Sequence, residues 1–144
     1  MESVPGDTRS LRLAANTACL HAAMEFVRTG AREAGLPETR IGELDLVIEE
    51  IFVNVCRYAY PDGRQGVVTL AYSIPAPGEL RVEVADQGAE FNPLAAAPPD
   101  LTLNLECRPI GGLGIVLVKT LAPSLAYRRD SGWNRLTFGI SAGS

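Results

Sequence analysis

Glu50 and Asn54 are the two residues of this sequence whose types and spacing are best suited to chemistry. The side-chain oxygen of an asparagine can bind a metal ion as a neutral ligand, and a glutamate can orient or deprotonate a nucleophile. In a helix, a spacing of four residues places both side chains on the same side, one turn apart. The alternative is that the pair forms the polar border of an ordinary surface helix, because such borders are common.

A helix over Glu43 to Tyr60 is predicted to hold this pair. Its apolar residues recur at intervals of three and four, as in an amphipathic helix: Leu44, Val47, Ile48, Ile51, Val55 and Tyr58. The residues expected along one edge of this apolar stripe are Glu43, Glu50, Asn54 and Arg57. Glu49 is expected to point to solvent instead. Pro37 fits the start of the helix, and Pro61-Asp62-Gly63 is expected to end it.

A second cluster, Asp86-Gln87-Gly88, stands where a predicted strand ends and is followed by Phe91-Asn92-Pro93. An aspartate that leaves a strand can accept a hydrogen bond from an amino group of a flat ligand. A nearby glycine lets such a ligand approach the backbone. Taken alone, the cluster favours the alternative of a plain Asx turn.

A third cluster, Gly112-Leu113-Gly114, precedes a predicted helix. Free backbone N–H groups and the positive end of a helix dipole can bind an anion there. The cluster is not the dinucleotide-binding fingerprint, because no buried parallel strand leads into it. It is not a Walker loop either, because no Gly-Lys-Ser/Thr follows. Taken alone, it is weak evidence for a phosphate site.

The remaining pattern predicts one α+β domain over residues 1–144, with helices on one face of a mainly antiparallel sheet. Alternating apolar residues predict strands at 10–14, 67–74, 80–84, 125–129 and 133–140. Further helices are predicted from Asn16 or Thr17 to Gly35 and from Ile115 to Leu121. Between Asp86 and Gly112 the periodicity is lost. Connections of that length are usually lids, binding loops or disordered segments, and we expect a lid, with Ala95 to Cys107 as its mobile part.

Composition excludes several classes of function. The formal net charge is −4 and no basic run is present, so binding to nucleic-acid phosphates has no electrostatic support. Cys19, Cys56 and Cys107 lack metal or disulfide spacing, which favours a reducing cytoplasm, and Cys56 is expected to be a small buried apolar residue. The single histidine, His21, is expected on a helix surface. The polar N-terminus does not resemble a signal peptide, and no apolar run reaches membrane-spanning length.

In this order, the three clusters are the parts of a nucleotide-binding site, and here the sequence resembles a known family. It is similar to the ATP-binding domain of the gyrase, histidine-kinase and MutL superfamily, and more closely to bacterial anti-sigma-factor serine/threonine kinases. The matching stretches are Glu50-x-x-x-Asn54 with Arg57-Tyr58-Ala59-Tyr60, Val84-Ala85-Asp86-Gln87-Gly88 with Phe91-Asn92-Pro93, Arg108-Pro109-Ile110-Gly111-Gly112-Leu113-Gly114-Ile115, and Tyr127-Arg128-Arg129 with Asn134-Arg135-Leu136-Thr137. The resemblance covers nearly all of the chain and implies a Bergerat-type two-layer fold.

The resemblance also implies roles for individual residues. Asn54 would hold Mg²⁺ at the ATP phosphates, and Glu50 would act as the general base or orient the attacking hydroxyl. Asp86 would accept from the adenine amino group, and Gly88 would leave room for the base. The implied nucleotide-contacting residues are Asn54, Arg57, Asp86, Gly88, Phe91, Gly111, Gly112, Leu113, Gly114 and Thr137. In that set the glycines would contact phosphate through their backbone, and Thr137 would support the adenine from the last strand.

The function implied by the resemblance is that of a cytoplasmic, ATP-dependent protein serine/threonine kinase. It would phosphorylate an anti-sigma-factor antagonist, bind a sigma factor, and dimerise as this family often does. The alternative is a nucleotide-binding partner-switching module with little or no kinase activity. Ala89-Glu90 stand where relatives often have a second glycine or a proline pair, and Pro123 stands where they often have aspartate. Transfer to histidine is disfavoured, because the sequence has no dimerisation helix pair with a phospho-accepting histidine.

Overall fold

A five-stranded antiparallel sheet with two long helices on one face makes up the described part of the computed structural model, which comprises residues 8–60, 66–90, 92 and 118–142. In chain order the elements are β1 (Thr8–Ala14), α1 (Leu20–Ala34), α2 (Glu38–Asn54), β2 (Val67–Ala76), β3 (Glu79–Asp86), β4 (Ala126–Asp130) and β5 (Trp133–Ser141). The strand order is β1-β2-β3-β5-β4, so the last strand lies between β3 and β4. The predicted α+β class and layering are confirmed.

The ends of the helices follow from local sequence signals. The Asn16 side chain accepts a hydrogen bond from the Ala18 N–H (2.8 Å), which starts a short 3₁₀ turn, Thr17–Cys19, that leads into α1. Gly35 ends α1 with a φ of +84°, in the left-handed region that glycine enters without strain. Pro37 caps α2, where its missing N–H costs little.

The core lies between the sheet and the two helices. Alternate residues of β2, β3 and β5 point towards the helices and are buried: Val68, Leu70 and Tyr72, then Leu80, Val82 and Val84, then Leu136, Phe138 and Ile140. The facing residues of α2 are Leu44, Val47, Ile48, Ile51 and Phe52. Each fully buried large side chain of this kind contributes about 1.5–3 kcal/mol relative to exposure. The core therefore holds α2, and with it Glu50, at a fixed position over the sheet.

The end of the central helix differs from the expectation. A single helix to Tyr60 was expected, but α2 ends at Asn54 and a π-helical turn, Val55–Ala59, follows. A π turn has wider hydrogen-bonded loops than an α-helix, so it rotates the side chains that follow it. As a result Tyr58, expected on the apolar stripe, is half-buried, whereas Ala59 is buried.

Cys56 lies in the same π turn, where it packs against the core but is half-buried instead of buried as expected. Burial nevertheless raises the pKa of its thiol to about 11. The thiol is therefore protonated near neutral pH and is a poor nucleophile.

An ion pair between the helices fixes α1 against α2. Arg28 of α1 donates from Nε and Nη2 to the two carboxylate oxygens of Asp45 of α2, at 2.9 Å each. It also contacts Glu25, and the hydrogen bonds that Arg28 donates to the two carboxylates raise the pKa of its guanidinium above the ordinary value. Two parallel bonds define an orientation as well as a distance, which limits rotation of α2. Neither helix, nor any other helical segment among the described residues, is long and apolar enough to cross a membrane.

Candidate functional site

Glu50 and Asn54 are joined by a hydrogen bond on α2. The Asn54 Nδ2 donates to the Glu50 Oε2 at 2.8 Å. Asn54 is 5% exposed and Glu50 is half-buried, while Glu49 is exposed. The side of the helix that each of these residues was expected to occupy is therefore the side observed. Because Nδ2 is engaged with Glu50, the amide presents Oδ1 as its remaining polar atom. A neutral oxygen in a fixed orientation is a suitable ligand for Mg²⁺.

The environment of Glu50 favours proton transfer. Burial raises the pKa of its carboxyl above the ordinary value, while the hydrogen bond from Asn54 and the charge of Arg57 lower it and the charge of Glu49 raises it. Arg57 itself is exposed in the π turn. A carboxylate with a raised pKa is a better proton acceptor near neutral pH than an ordinary surface glutamate.

Asp86 lies at the end of β3, on the helix-facing side of the sheet, and is 3% exposed. Its Oδ1 accepts two hydrogen bonds, from the Gly88 N–H at 2.8 Å and from the Asn134 Nδ2 at 2.9 Å. None of the described residues donates a hydrogen bond to Oδ2. Burial raises the pKa of Asp86, while the bonds from Asn134 and Gly88 and the charge of Arg129 lower it. Oδ2 is therefore available to accept from a ligand.

Asn134 is a site residue that the sequence analysis missed. It is 5% exposed and lies directly opposite Asp86 in the register of β3 and β5. Its Nδ2 also donates to the carbonyl of Ala89 at 2.8 Å, and its Oδ1 accepts from the Tyr127 hydroxyl at 2.6 Å and from Arg129 Nη1 at 3.0 Å. Strand alternation could have suggested it, because Asn134 is two residues before Leu136, on the same face of the strand.

Thr137 requires a correction. The sequence analysis assigned it to the adenine site, but in the register it is opposite Glu83, three residues before Asp86. Successive side chains of a strand point to opposite faces, so Thr137 lies on the face of the sheet away from the helices. The structure does not bring it to Asp86.

Gly88 brings the end of β3 into direct contact with the end of the central helix. A Cβ atom on Gly88 would overlap the carbonyl oxygen of Ala59, and the neighbouring Ala89 N–H donates to that same oxygen at 2.7 Å. Only a residue without a Cβ fits at this position, and the role of Gly88 in leaving room for a ligand base stays a prediction. Ala59 follows Asn54 by five residues, roughly 7 Å along a helix, so the helix end that carries Glu50 and Asn54 lies near the strand end that carries Asp86.

Tyr60 adds a second connection between these elements. Its hydroxyl donates to the Val67 carbonyl at 2.8 Å and accepts from the Gln87 N–H at 3.1 Å. Its ring packs against Gly66, where a Cβ would overlap the ring. One phenol thus joins the helix end to the start of β2 and to the residue after Asp86.

The other residues assigned from the sequence are Phe91, Gly111, Gly112, Leu113 and Gly114, and they lie outside the described residues, as does the expected lid segment Ala95 to Cys107. Within the described ranges, no group of three or more His, Cys, Asp or Glu residues could hold a metal ion. The single neutral oxygen of Asn54 is of the type that Mg²⁺ accepts when water and ligand phosphates complete its coordination shell.

Comparisons with known proteins agree with this arrangement. The family model described as "Histidine kinase-like ATPase domain" matches residues 13–140. A serine/threonine-protein kinase, BtrW, from Bordetella bronchiseptica is 31% identical over 94 residues, which are 65% of this chain and 66% of that protein. A serine-protein kinase, RsbW, from Listeria monocytogenes is 29% identical over 106 residues, 71% of this chain and 67% of the relative. The alignments thus span about two thirds of each relative's length.

Solved structures share the fold. The crystal structure of the RsbU and RsbW domains of a Mycobacterium tuberculosis protein matches with a TM-score of 0.65 and 16% identity, covering 94% of this chain and 32% of that chain. A blue-light activated histidine kinase from Erythrobacter litoralis matches with a TM-score of 0.55 and 22% identity, covering 74% of this chain and 32% of that chain. The family model covers nearly the whole chain, and so the protein belongs to the histidine kinase-like ATPase domain family, among relatives named as serine-protein kinases of the RsbW and BtrW type.

Proposed function

We propose that the protein binds ATP with Mg²⁺ and transfers the terminal phosphoryl group to a serine or threonine of an anti-sigma-factor antagonist. The observation that carries this proposal is the hydrogen bond between Glu50 and Asn54 on the helix that touches the strand end bearing Asp86. The names of the relatives, serine/threonine- and serine-protein kinases, support the class of reaction.

Each residue has a role that its environment supports. Asp86 would accept the adenine amino group at Oδ2, which is free of donors among the described residues. Asn54 would hold Mg²⁺ through Oδ1, because its Nδ2 is bound to Glu50. Mg²⁺ supplies charge neutralisation at the phosphates when bound. Glu50 would accept the proton of the substrate hydroxyl as that oxygen bonds to the terminal phosphorus and ADP leaves.

The partners follow from the same family membership. We infer an anti-sigma-factor antagonist as the phosphoryl acceptor and a sigma factor as a second binding partner, with the protein acting in the cytoplasm, where it can form a homodimer. The second candidate function is nucleotide-dependent partner binding with little transfer. It is favoured by Pro123 and by Ala89-Glu90, which depart from the pattern common among kinases of this type.

The test separates catalysis from binding. With labelled Mg-ATP and an antagonist protein, Glu50→Gln should reduce transfer by about 10²–10⁴-fold, because it removes the proton acceptor. It should leave ATP affinity unchanged, since a group that acts in the transition state need not bind the ground state. Asn54→Ala should lose the Mg²⁺-dependent part of ATP binding. Affinity is measured by calorimetric titration beside the transfer assay.

Glu49→Gln is the matched control, because Glu49 is adjacent in sequence but exposed. It should change neither quantity by much. If the wild type binds ATP and transfers nothing to any antagonist from the native cytosol, the binding-module function is the correct one. If Glu49→Gln is inactive and Glu50→Gln is active, the roles assigned to the two glutamates are wrong.

A further inference from the structure

The two oxygens of Asp86 are in different situations. Oδ1 accepts from the Gly88 N–H and from the Asn134 amide, whereas no described residue donates to Oδ2. The Gly88 bond is local, but the Asn134 bond comes from a strand 48 residues further along the chain. The orientation of the carboxylate around its own side-chain bond is therefore set jointly by a local N–H and by a residue distant in the sequence.

Asn134 has its own polar atoms occupied. Both of its N–H groups donate, to Asp86 Oδ1 and to the Ala89 carbonyl, and its oxygen accepts from Tyr127 and Arg129. An amide has two donors and two acceptor lone pairs, and all four are used within the protein. Asn134 thus reaches a nucleotide only through Asp86. The bonds from Tyr127 and Arg129 also fix which end of the amide faces Asp86, because both groups donate.

We propose that Asn134 is a positioning residue that makes the site select nucleotides carrying an amino group, rather than a carbonyl, at position 6 of the purine. It does so by keeping Asp86 ionised and turning Oδ2 towards the base. This inference rests on the proposed binding of adenine nucleotides at Asp86. An ionised carboxylate only accepts hydrogen bonds, so it pairs with the adenine amino group and repels the carbonyl of hypoxanthine.

Protonation of Asp86 would reverse this preference, because a protonated carboxyl can donate to a carbonyl. The groups around Asp86 oppose protonation: the Asn134 amide on β5, the charge of Arg129 on β4 and the Gly88 N–H all lower its pKa against the effect of burial. The other titratable groups near this strand end are Tyr127 on β4 and Tyr60, which binds the Gln87 N–H.

Asn134→Asp is the most informative variant. It keeps the side-chain shape and an acceptor for Tyr127 and Arg129, but it replaces the donor that faces Asp86 with a second carboxylate oxygen. Two carboxylates in contact cannot both stay ionised near neutral pH, so the pKa of the pair's second proton rises. Tyr127→Phe is the milder variant, since it removes one bond that orients the amide. Asn16→Asp is the matched control, because Asn16 is a helix cap far along the chain, and aspartate caps equally well.

The experiment is calorimetric titration of the full chain with Mg-ATP and with Mg-ITP over a series of pH values from about 4 to about 9, which begins near the ordinary carboxyl pKa. Wild type and Asn16→Asp should prefer ATP by about tenfold or more and lose ATP affinity as pH falls through the pKa of Asp86. Asn134→Asp should lose about tenfold or more of ATP affinity at neutral pH, because a rise of one unit in the pKa of Asp86 changes its protonation equilibrium tenfold. It should lose less ITP affinity, and its ATP-binding midpoint should move to higher pH. Tyr127→Phe should change in the same direction by less.

Three outcomes overturn the inference. If Asp86→Asn loses ATP while Asn134→Asp and Tyr127→Phe keep the wild-type ratio and midpoint, Asn134 has no positioning role and the proposed nucleotide site stands. If folded Asn134→Asp, checked by circular dichroism, loses both nucleotides equally and Tyr127→Phe leaves the midpoint unchanged, the role of Asn134 is structural. If the wild type binds neither nucleotide, the proposed function fails and this inference fails with it.

Discussion

At the scale of single residues, the raised pKa of Glu50 leads to a pH dependence. The proton acceptor must be ionised, so the transfer rate should fall as pH drops through the folded-state pKa of Glu50. Because burial raises that pKa above 4.5, the acid limb of kcat/KM should lie above the range of an ordinary glutamate. Initial rates with saturating Mg²⁺ at a series of pH values give this limb.

Arg57→Gln should shift the acid limb of this pH profile. The charge of Arg57 lowers the pKa of Glu50, so its removal should move the limb to higher pH, while Glu49→Gln should move it slightly to lower pH. A limb at or below 4.5, or one that neither substitution moves, would assign the titration to a different group.

Two of the site's residues show what the sequence could and could not predict. The Glu50–Asn54 pair was found because helical spacing is local and Glu49 falls on the opposite side of the helix. Asn134 was missed and Thr137 chosen instead, because the partner of Asp86 depends on the register between β3 and β5, which are separated by more than 40 residues. The period of two in β5 places Asn134 on the face of Leu136, but which residue of β3 lies opposite it depends on the register, which a local pattern does not contain.

At the scale of elements, the contact between the π turn and the end of β3 predicts an effect of Gly88→Ala. The added Cβ would overlap Ala59, whose backbone cannot move without disturbing the turn. Overpacking of this kind costs about 1–3 kcal/mol of unfolding free energy, and here it should also weaken ATP binding because it separates Asp86 from the helix. Urea denaturation measures the first effect and calorimetry with ATP the second.

Gly42→Ala is the control for this prediction. Gly42 is on the exposed side of α2 and a Cβ there meets nothing within 4 Å, so the variant should gain about 0.5–1 kcal/mol of stability from helix propensity. Equal effects of the two substitutions would contradict the close approach at Gly88.

The elements themselves were largely readable from the sequence. Alternating apolar residues gave the strands to within about two residues, as for β1, which begins at Thr8 instead of Ser10. The π turn was not predicted, because the apolar spacing of Val55 and Tyr58 continues the α-helical period. The π turn that follows Asn54 brings Ala59 into contact with Gly88 and Ala89, which are distant in sequence, so its local spacing carries no sign of these contacts.

At the scale of the whole molecule, the single-domain organisation expected over residues 1–144 remains a prediction. One apolar cluster joins both helices to β2, β3 and β5, so the chain should unfold in one cooperative step. Far-ultraviolet circular dichroism reports the helices, and the fluorescence of Trp133 reports the sheet. Their urea midpoints should coincide, and ATP at about 100 times its Kd should raise the unfolding free energy obtained from either probe by about 2.7 kcal/mol. Two separate midpoints would indicate two units.

The place of β5 in the sheet has a consequence for synthesis on the ribosome. β5 is the last described strand in sequence, yet it lies between β3 and β4 and carries Asn134 to Asp86. A nascent chain that has exposed α2 and β3 outside the exit tunnel already holds Glu50, Asn54 and Asp86, but the carboxylate is not yet oriented. Under the proposed function, ATP should therefore bind with full affinity, and stabilise the fold, only after β5 has left the tunnel and paired with β3.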